Sequence, residues 1–258
     1  METGRNLSFT SASALPMKIF KDMALMKSLN DEHKVLPRHV QLSPTNKCNL
    51  NCSFCSCRDR DKNLELSKHD IDDLLEILEK VKTHGVTITG GGEPLLFGHF
   101  DYLIERLKQS NIDIGVTTNG ILFKRICTNT INLCTWIRVS VSDYSVFSDT
   151  FIKSLDYAVQ SGSNVDFGFS YVVTDKPDIS KIIKTVDYAN QNGFTHVRLA
   201  NDILMSNKSN LIRIKEELQN RNIDDDIIIY QDRQEMCQGQ KTCPNLQSPL
   251  PGRKFLEK

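Results

Sequence analysis

The sequence repeats one pattern six times: a short run of β-forming residues and then an amphipathic helical stretch. The predicted strands start near residues 39, 86, 112, 137, 165 and 196. The units are therefore roughly 25 to 45 residues long, the length of a strand, a helix and two short connections. This alternation predicts an α/β fold with a parallel sheet and right-handed crossovers, curved into an open or partial barrel. Folds of this kind place their chemistry where the strands end.

Local signals mark the ends of several helices. Ser67 is a good N-cap residue and Asp70 follows three positions later, which predicts a capped helix start. Gly193 predicts the end of the helix before the sixth strand. The apolar face of the first of these helices consists of Ile71, Leu74, Leu75, Leu78 and Val81.

The pattern divides the chain into three segments. Residues 1–15 are polar and rich in Ser and Thr, which predicts a flexible tail. Residues 16–202 contain the barrel, preceded by an amphipathic helix over 16–29. Residues 203–258 are predicted to form a short C-terminal extension with one helix and a seventh strand over 227–230.

Three cysteines follow the first strand on a single loop, residues 43–57, which we call the cysteine loop. Cys48, Cys52 and Cys55 are spaced by three and then two residues, and Phe54 precedes the last of them. A cubane iron–sulfur cluster usually has four Cys ligands, so three thiolates would leave one iron open. An open metal position can bind and activate a substrate.

Two alternatives to a cluster remain for this loop: a structural zinc site and a set of buried thiols. Zinc ribbons pair two knuckles that lie a dozen or more residues apart, and the sequence has no second knuckle of that spacing. Cys57 lies only two positions after Cys55, so in an extended chain the two would aim poorly at one tetrahedral ion.

Two further motifs follow the next two strands. The glycine turn, residues 90–93, contains three glycines and Glu93 and precedes Pro94. It is either a flexible turn or a place where the backbone approaches a ligand closely. Thr117–Gly120 follows the third strand and is by itself a plain Asn-Gly turn.

Together these motifs resemble those of the radical S-adenosylmethionine (radical SAM) superfamily. The resemblance covers roughly residues 39–202 and implies a partial (β/α)6 barrel. It implies that Cys48, Cys52 and Cys55 bind a [4Fe-4S] cluster whose fourth iron is chelated by the methionine part of S-adenosylmethionine. It also implies that Phe54 lies near the adenine of that cofactor.

The resemblance assigns roles to other residues. Gly91, Gly92 and Glu93 match the Gly-Gly-Glu motif that holds the amino group of S-adenosylmethionine. Asn119 belongs to a Thr-Asn-Gly segment that lies near the cofactor in this superfamily.

The fourth strand and its end, residues 138–143, resemble a segment found in the subgroup that modifies peptides. There Ser140 would approach the ribose or carboxylate of S-adenosylmethionine. That pattern has an acid where this chain has Ser142. Here the acid is displaced to Asp143, the candidate for proton transfer, and adjacent strand residues face opposite sides. Arg198 on the sixth strand would pair with a carboxylate, or else it is an arginine snorkelling at the barrel edge.

The C-terminal extension contains two more cysteines, Cys237 and Cys243. They lie where relatives with SPASM- or twitch-type extensions begin the cysteines of an auxiliary cluster. Two cysteines cannot hold a four-Cys cluster by themselves, so the extension is predicted to be incomplete or shortened.

The charge and hydropathy of the chain limit the classes of partner that we expect it to bind. Thirty-two basic and thirty-two acidic residues balance, so no overall field favours nucleic acid or an anionic membrane. No run approaches the roughly 18 apolar residues of a membrane span, and the N-terminus has no signal-peptide pattern. We therefore predict a cytoplasmic protein with reduced thiols. The charged run over 58–62 is predicted to be a solvated turn.

The functional prediction is an enzyme that cleaves S-adenosylmethionine reductively and uses the resulting radical to abstract hydrogen from a substrate. The resemblance implies a low-potential electron donor, such as a flavodoxin- or ferredoxin-like protein. A peptide or protein is the first substrate prediction and a small molecule the second. The alternative is a non-catalytic, truncated iron–sulfur or zinc-binding homologue that acts as a scaffold.

Overall fold

In a computed structural model, the chain folds around one parallel β-sheet. The structure describes residues 26–27, 30–31, 36–141, 148–202, 209–223 and 226–231. Its seven strands are hydrogen-bonded in the order of the sequence, and every neighbouring pair is parallel. The strands are β1 His39–Leu42, β2 Gly85–Ile88, β3 Asp113–Thr118, β4 Trp136–Val141, β5 Asp166–Val173, β6 His196–Asn201 and β7 Ile228–Gln231.

Each crossover between neighbouring strands contains an α-helix. The helices are α1 Lys68–Lys80, α2 Phe100–Gln109, α3 Thr128–Asn132, α4 Asp149–Ser161, α5 Ile179–Gln191 and α6 Ser209–Asn220. Short 3-10 helices over Pro94–Leu96 and Phe123–Arg125 precede α2 and α3. The repeated strand-and-helix order confirms the predicted α/β fold, an open sheet of the partial-barrel type.

The helix boundaries follow from the predicted capping signals. The Ser67 hydroxyl accepts a hydrogen bond from the Asp70 amide, and the Asp70 carboxylate accepts one from the Ser67 amide, a complete capping box. Gly193 adopts a positive φ of 68° just after α5, the conformation that glycine adopts without strain at a helix end.

The predictions for the two chain ends fall largely outside the described residues. Of the predicted helix over 16–29, only Met26 and Lys27 are described, and the tail over 1–15 lies outside altogether. The seventh strand is present, shifted by one residue from the predicted 227–230. Cys237 and Cys243 lie outside the described residues, so the incomplete extension stays a prediction.

The two faces of the sheet differ in composition. The face under the helices, here the helix-covered face, holds the hydrophobic core with side chains from every helix. The opposite face, here the cavity face, carries mostly polar side chains and borders a cavity. The alternation of side chains along each strand separates the two sets. The buried strand residues of the helix-covered face include Val86, Ile88, Ile114, Val116, Ile137, Val139, Phe167, Phe169, Val197 and Leu199.

The register of the strands aligns the cavity-face residues in rows. One row runs from Thr117 through Arg138 and Gly168 to His196. The next row towards the carboxyl ends contains Ser140, Ser170 and Arg198. The polar residues of three different strands therefore lie side by side. No described helix is both long enough and apolar enough to cross a membrane.

Candidate functional site

The cavity on the cavity face has a volume of about 920 Å³ and collects most of the predicted site residues. It extends from the cysteine loop across the strands as far as β6. Of the predicted site residues, Gly91 is not part of its wall, and Asp143 lies outside the described residues. The predicted residues on the wall are Cys48, Cys52, Phe54, Cys55, Gly92, Glu93, Asn119, Ser140 and Arg198.

The three cysteines of the loop are half-buried and all line this cavity. The amide of Cys55 donates to the carbonyl of Cys52 over 3.2 Å, which closes a turn between them. The amide of Leu50 lies 3.4 Å from the Cys48 sulfur. The loop thus presents three thiols to one space, the donor set that a cluster with one open iron requires.

The cysteine geometry bears on the zinc alternative. Among the described residues, no group of three or more His, Cys, Asp or Glu side chains is arranged around a point where a metal ion would fit. A tetrahedral zinc site needs its ligands to converge on one ion, whereas a cubane cluster binds each thiolate to a different iron. A cluster therefore requires less convergence of three thiolates than a single zinc ion does.

Arg60 packs against the cysteine loop and was not foreseen from the sequence. Its Nε donates to the carbonyl of Asn46 over 2.8 Å and its Nη1 to the carbonyl of Cys57 over 2.5 Å. The same Nη1 lies 3.7 Å from the Cys55 sulfur. The charged run over 58–62 is therefore not simply a solvated turn, since one of its arginines is half-buried against a predicted cluster ligand.

The glycine turn is hydrogen-bonded to the start of the cysteine loop. The amide of Gly92 donates to the carbonyl of Thr45 over 3.0 Å, and the amide of Glu93 donates to the carbonyl of Lys47 over 2.7 Å. These bonds join the segments that follow β1 and β2. As a result, the two motifs identified in the sequence lie next to each other.

The glycines are required by this contact. A Cβ atom on Gly92 would lie 2.1 Å from the carbonyl oxygen of Lys47, and one on Gly91 would lie 2.0 Å from Oδ1 of Asn46. The Lys47 contact is with backbone, which cannot move aside as a flexible side chain could. The sequence predicts that the backbone of this turn approaches a neighbouring group closely. Among the described residues, that neighbour is the cysteine loop.

Glu93 is buried and its carboxylate receives three hydrogen bonds. Oε1 accepts from the amide of Leu95 over 3.1 Å and from the hydroxyl of Thr118, and Oε2 accepts from the amide of Asn119 over 2.7 Å. Burial raises the pKa of Glu93 although these donors act in the opposite direction. The side chain holds the glycine turn to the end of β3.

Asn119 links the end of β3 to the cysteine loop. Its Nδ2 donates to Oδ1 of Asn49 over 2.7 Å, and its Oδ1 accepts from the amide of Ile121 over 3.1 Å. Asn49 lies directly after Cys48. Asn119 therefore helps to position the cysteine loop and also borders the cavity.

The far wall of the cavity carries two arginines. Arg198 donates from Nε and Nη2 to the hydroxyl of Ser170, over 3.2 and 2.8 Å. Arg138 stands over the ring of Trp136, with 5.0 Å between its guanidinium carbon and the ring centroid. Ser140 lies on the same wall. Arg138 and Trp136 are missing from the predicted site, although their alternation with Ser140 along β4 would have placed them on its face.

Comparison with known proteins relates the whole arrangement to one family. A protein-family model described as the radical SAM superfamily matches residues 42–216, more than half of the chain. Among curated proteins, the GTP 3′,8-cyclase of Staphylococcus aureus (strain JH9) is 28% identical in an alignment over 150 residues that covers 50% of this chain and 44% of the relative. The match thus spans less than half the length of that relative.

Solved structures show the same fold. Streptococcus suis SuiB bound to S-adenosylmethionine matches with a TM-score of 0.59 at 18% identity, over 86% of this chain and 56% of SuiB. SuiB bound to its precursor peptide SuiA matches with a TM-score of 0.61 at 19% identity, over 86% and 55% of the two chains. At these identities the likeness concerns the fold alone.

Proposed function

The chain belongs to the radical SAM superfamily, and on that premise we propose that it is an enzyme that cleaves S-adenosylmethionine reductively and abstracts hydrogen from a substrate in the cavity. Membership in this superfamily agrees with the predicted cofactors, a [4Fe-4S] cluster and S-adenosylmethionine. One observation carries the proposal: the cysteine loop and the glycine turn are hydrogen-bonded to each other on the wall of one polar cavity.

We assign Cys48, Cys52 and Cys55 as the cluster ligands. The cluster and S-adenosylmethionine, when bound, would supply a 5′-deoxyadenosyl radical, after one electron arrives from a flavodoxin- or ferredoxin-like donor. The half-buried loop shields the thiols in part and keeps them facing the substrate space.

The neighbouring residues would orient the second cofactor. The amides of Gly92 and Glu93 are already engaged with the cysteine loop, so the glycine turn is held at a constant distance from the cluster ligands. The buried Glu93 carboxylate would act mainly by fixing the turn and the end of β3, because three protein donors already occupy its oxygens. Phe54, Asn119, Ser140 and Arg198 line the same cavity and are proposed to contact S-adenosylmethionine.

Two observations bear on the substrate. SuiB, which shares the fold, has been crystallised with a precursor peptide, and this supports a peptide or protein substrate as first choice. The similarity to a GTP 3′,8-cyclase supports a small anionic molecule as second choice.

The test is anaerobic reconstitution of the full chain with iron and sulfide, followed by reduction in the presence of S-adenosylmethionine. We expect the absorption of a [4Fe-4S] cluster and release of 5′-deoxyadenosine. Cys52→Ala should lose both. Cys127→Ala is the matched control and should keep both, because Cys127 is exposed and does not line the cavity.

Two outcomes would contradict the proposal. Protein that binds zinc stoichiometrically and no iron would favour the zinc-binding homologue. Protein that holds a reducible cluster but forms no 5′-deoxyadenosine would favour the non-catalytic scaffold. Once cleavage is seen, peptides encoded beside the gene and GTP can be compared as substrates by their stimulation of 5′-deoxyadenosine release.

A further inference from the structure

Arg138 is a half-buried cation without a counter-ion among the described residues. Its Nε is shielded from solvent and has no hydrogen-bond partner there. None of the ion pairs between described residues includes it, and its guanidinium lies over the ring of Trp136. Burial lowers the pKa of its guanidinium, which reflects the cost of enclosing this charge.

A half-buried guanidinium without a counter-ion is energetically unfavourable unless an anion binds to it. Removing a charged group from water carries a free-energy penalty that a paired partner normally offsets. A guanidinium presents up to five N–H donors in a planar fork that matches a carboxylate or a phosphate. Arg138 is also on the cavity wall, where a small solute can reach it.

The surroundings of Arg138 add positive potential. His196 lies in the same row of the sheet with only Gly168 between, and a Cβ on Gly168 would lie 2.4 Å from Cε1 of His196. Burial is the largest cause that lowers the pKa of His196 to about 4, and the charges of Arg138 and Arg198 act in the same direction. The imidazole is therefore neutral near pH 7 and the two arginines supply the charge.

The acidic side chains of the wall are too far along the strands to neutralise Arg138. Asp113 precedes Thr117, the strand neighbour of Arg138, by four residues, which is about 13 Å along β3. Asp202 follows His196 of the same row by six residues, about 20 Å along β6. Glu93 is occupied by its own three donors.

We propose that Arg138 anchors an anionic group of the substrate, a carboxylate or a phosphate, within the barrel. Thr117, Ser140 and Ser170 border the same space and can donate hydroxyl hydrogen bonds to that group. The assignment names the substrate chemistry of the proposed enzyme and rests on that function.

The chain carries its own probe for this site. Trp136 is the only tryptophan in the sequence, and its ring lies against Arg138 on the cavity wall. We would titrate the full chain with potassium phosphate and, separately, with potassium acetate, at constant ionic strength kept by potassium chloride. Saturable change in Trp136 emission is expected with one of the two anions, and acetamide, a neutral isostere of acetate, should have no effect.

Variants test whether Arg138 holds the anion. Arg138→Gln should weaken the binding about tenfold or more, since a charge-assisted hydrogen bond to an anion is lost. Arg106→Gln is the matched control and should bind like the wild type, because Arg106 lies on α2, away from the cavity. Equal affinity in Arg138→Gln and the wild type would overturn the proposal, as would emission that responds to chloride and to both anions alike.

A measurement on the wild type covers the case in which Arg138→Gln does not fold. Phenylglyoxal modifies accessible arginines, and peptide mass spectrometry locates the sites. The bound anion should protect Arg138 and leave Arg106 reactive, whereas equal labelling with and without the anion would refute the anchor. Neither measurement requires S-adenosylmethionine cleavage, so failure of the catalytic proposal and failure of the anion site are distinguishable.

Discussion

The two faces of the sheet differ in burial and polarity. On the helix-covered face, Ile114 and Val139 are fully buried beneath the helices. On the cavity face of the same strands, Thr117 and Arg138 border a cavity of about 920 Å³, within the roughly 300–1,000 Å³ range of ligand pockets. Apolar burial stabilises the fold on one side, and polar groups remain available for chemistry on the other.

This division differs from a closed (β/α)8 barrel, whose interior is filled by layers of bulky branched side chains. Here Gly115 and Gly168 are among the glycines on the cavity face, and aromatic rings from the neighbouring strands occupy the space. Trp136 lies across Gly115, and His196 lies across Gly168. Because this interior is open, the cavity face contributes less to core packing than the helix-covered face. We therefore expect substitutions on the two faces to have different consequences.

The largest stability effect is expected from truncation on the helix-covered face. Phe169 is fully buried and stacks on Phe194 with 4.4 Å between the ring centroids. Phe169→Ala should lower the free energy of unfolding by about 3–5 kcal/mol. Val172→Ala, three residues on but facing the cavity, should cost about 1 kcal/mol or less. Urea unfolding measures both, and equal losses would show that the faces do not differ in this way.

Filling a glycine position should disturb the cavity face itself. A Cβ on Gly115 would lie 2.1 Å from Cζ2 of Trp136, so Gly115→Ala must displace the ring. We expect a loss of about 1–3 kcal/mol and altered Trp136 emission. Gly98→Ala is the control, because a Cβ there meets nothing within 4 Å. Unchanged emission in Gly115→Ala would mean that the ring does not pack across β3.

Glu93 provides a further test of the difference between the two faces, because it is a buried acid at the edge of the cavity. Its raised pKa means that the folded chain holds the proton more tightly than the unfolded chain. The stability from this group is present below its ordinary pKa of 4.5 and is lost as the pH rises through the raised value. The advantage of the wild type over Glu93→Gln should therefore shrink above pH 4.5, by at most about 1.4 kcal/mol per pH unit.

Chemical denaturation at several pH values measures this difference. Glu105→Gln, which removes an exposed carboxylate from α2, is the control. A pH-independent difference between the wild type and Glu93→Gln would contradict the raised pKa.

The smallest effect concerns the electronic environment of the proposed cluster. Arg60 places a guanidinium nitrogen 3.7 Å from the Cys55 sulfur, and hydrogen bonds and charge near cluster sulfurs favour the reduced state. Arg60→Gln should shift the midpoint potential of the reconstituted cluster to more negative values, as followed by electron paramagnetic resonance. Lys62→Gln removes an exposed charge two residues away and should shift it less, because solvent screens that charge. Equal shifts would assign the effect to net charge alone.

Much of the fold followed from local patterns. The alternation of apolar and polar residues marks β4 and β5, and the capping box of Ser67 and Asp70 marks the start of α1. These signals are contained within a few residues, so no distant contact is needed to recognise them. The cysteine spacing and the glycine turn likewise identified the two loops that meet at the site.

The missed residues have a common cause. Arg60 lies in a charged run that is typical of a solvated turn, and Arg138 shares a face of β4 with Ser140, but no local pattern shows that it lacks a counter-ion. Each is recognised only from what surrounds it in space. For Arg60 that is the Cys55 sulfur, and for Arg138 it is the absence of a counter-ion among the described residues.

The amino-acid sequence by itself determined the repeating strand-and-helix units, the three-thiol donor set and the residues that follow each strand, because these depend on the order of neighbours along the chain. The tertiary structure alone decided that the glycine turn packs against the cysteine loop, that Glu93 is enclosed by three donors and that Arg138 faces the cavity unpaired among the described residues. Burial and partner choice depend on strand register and on loops dozens of residues apart, and no local pattern contains that information.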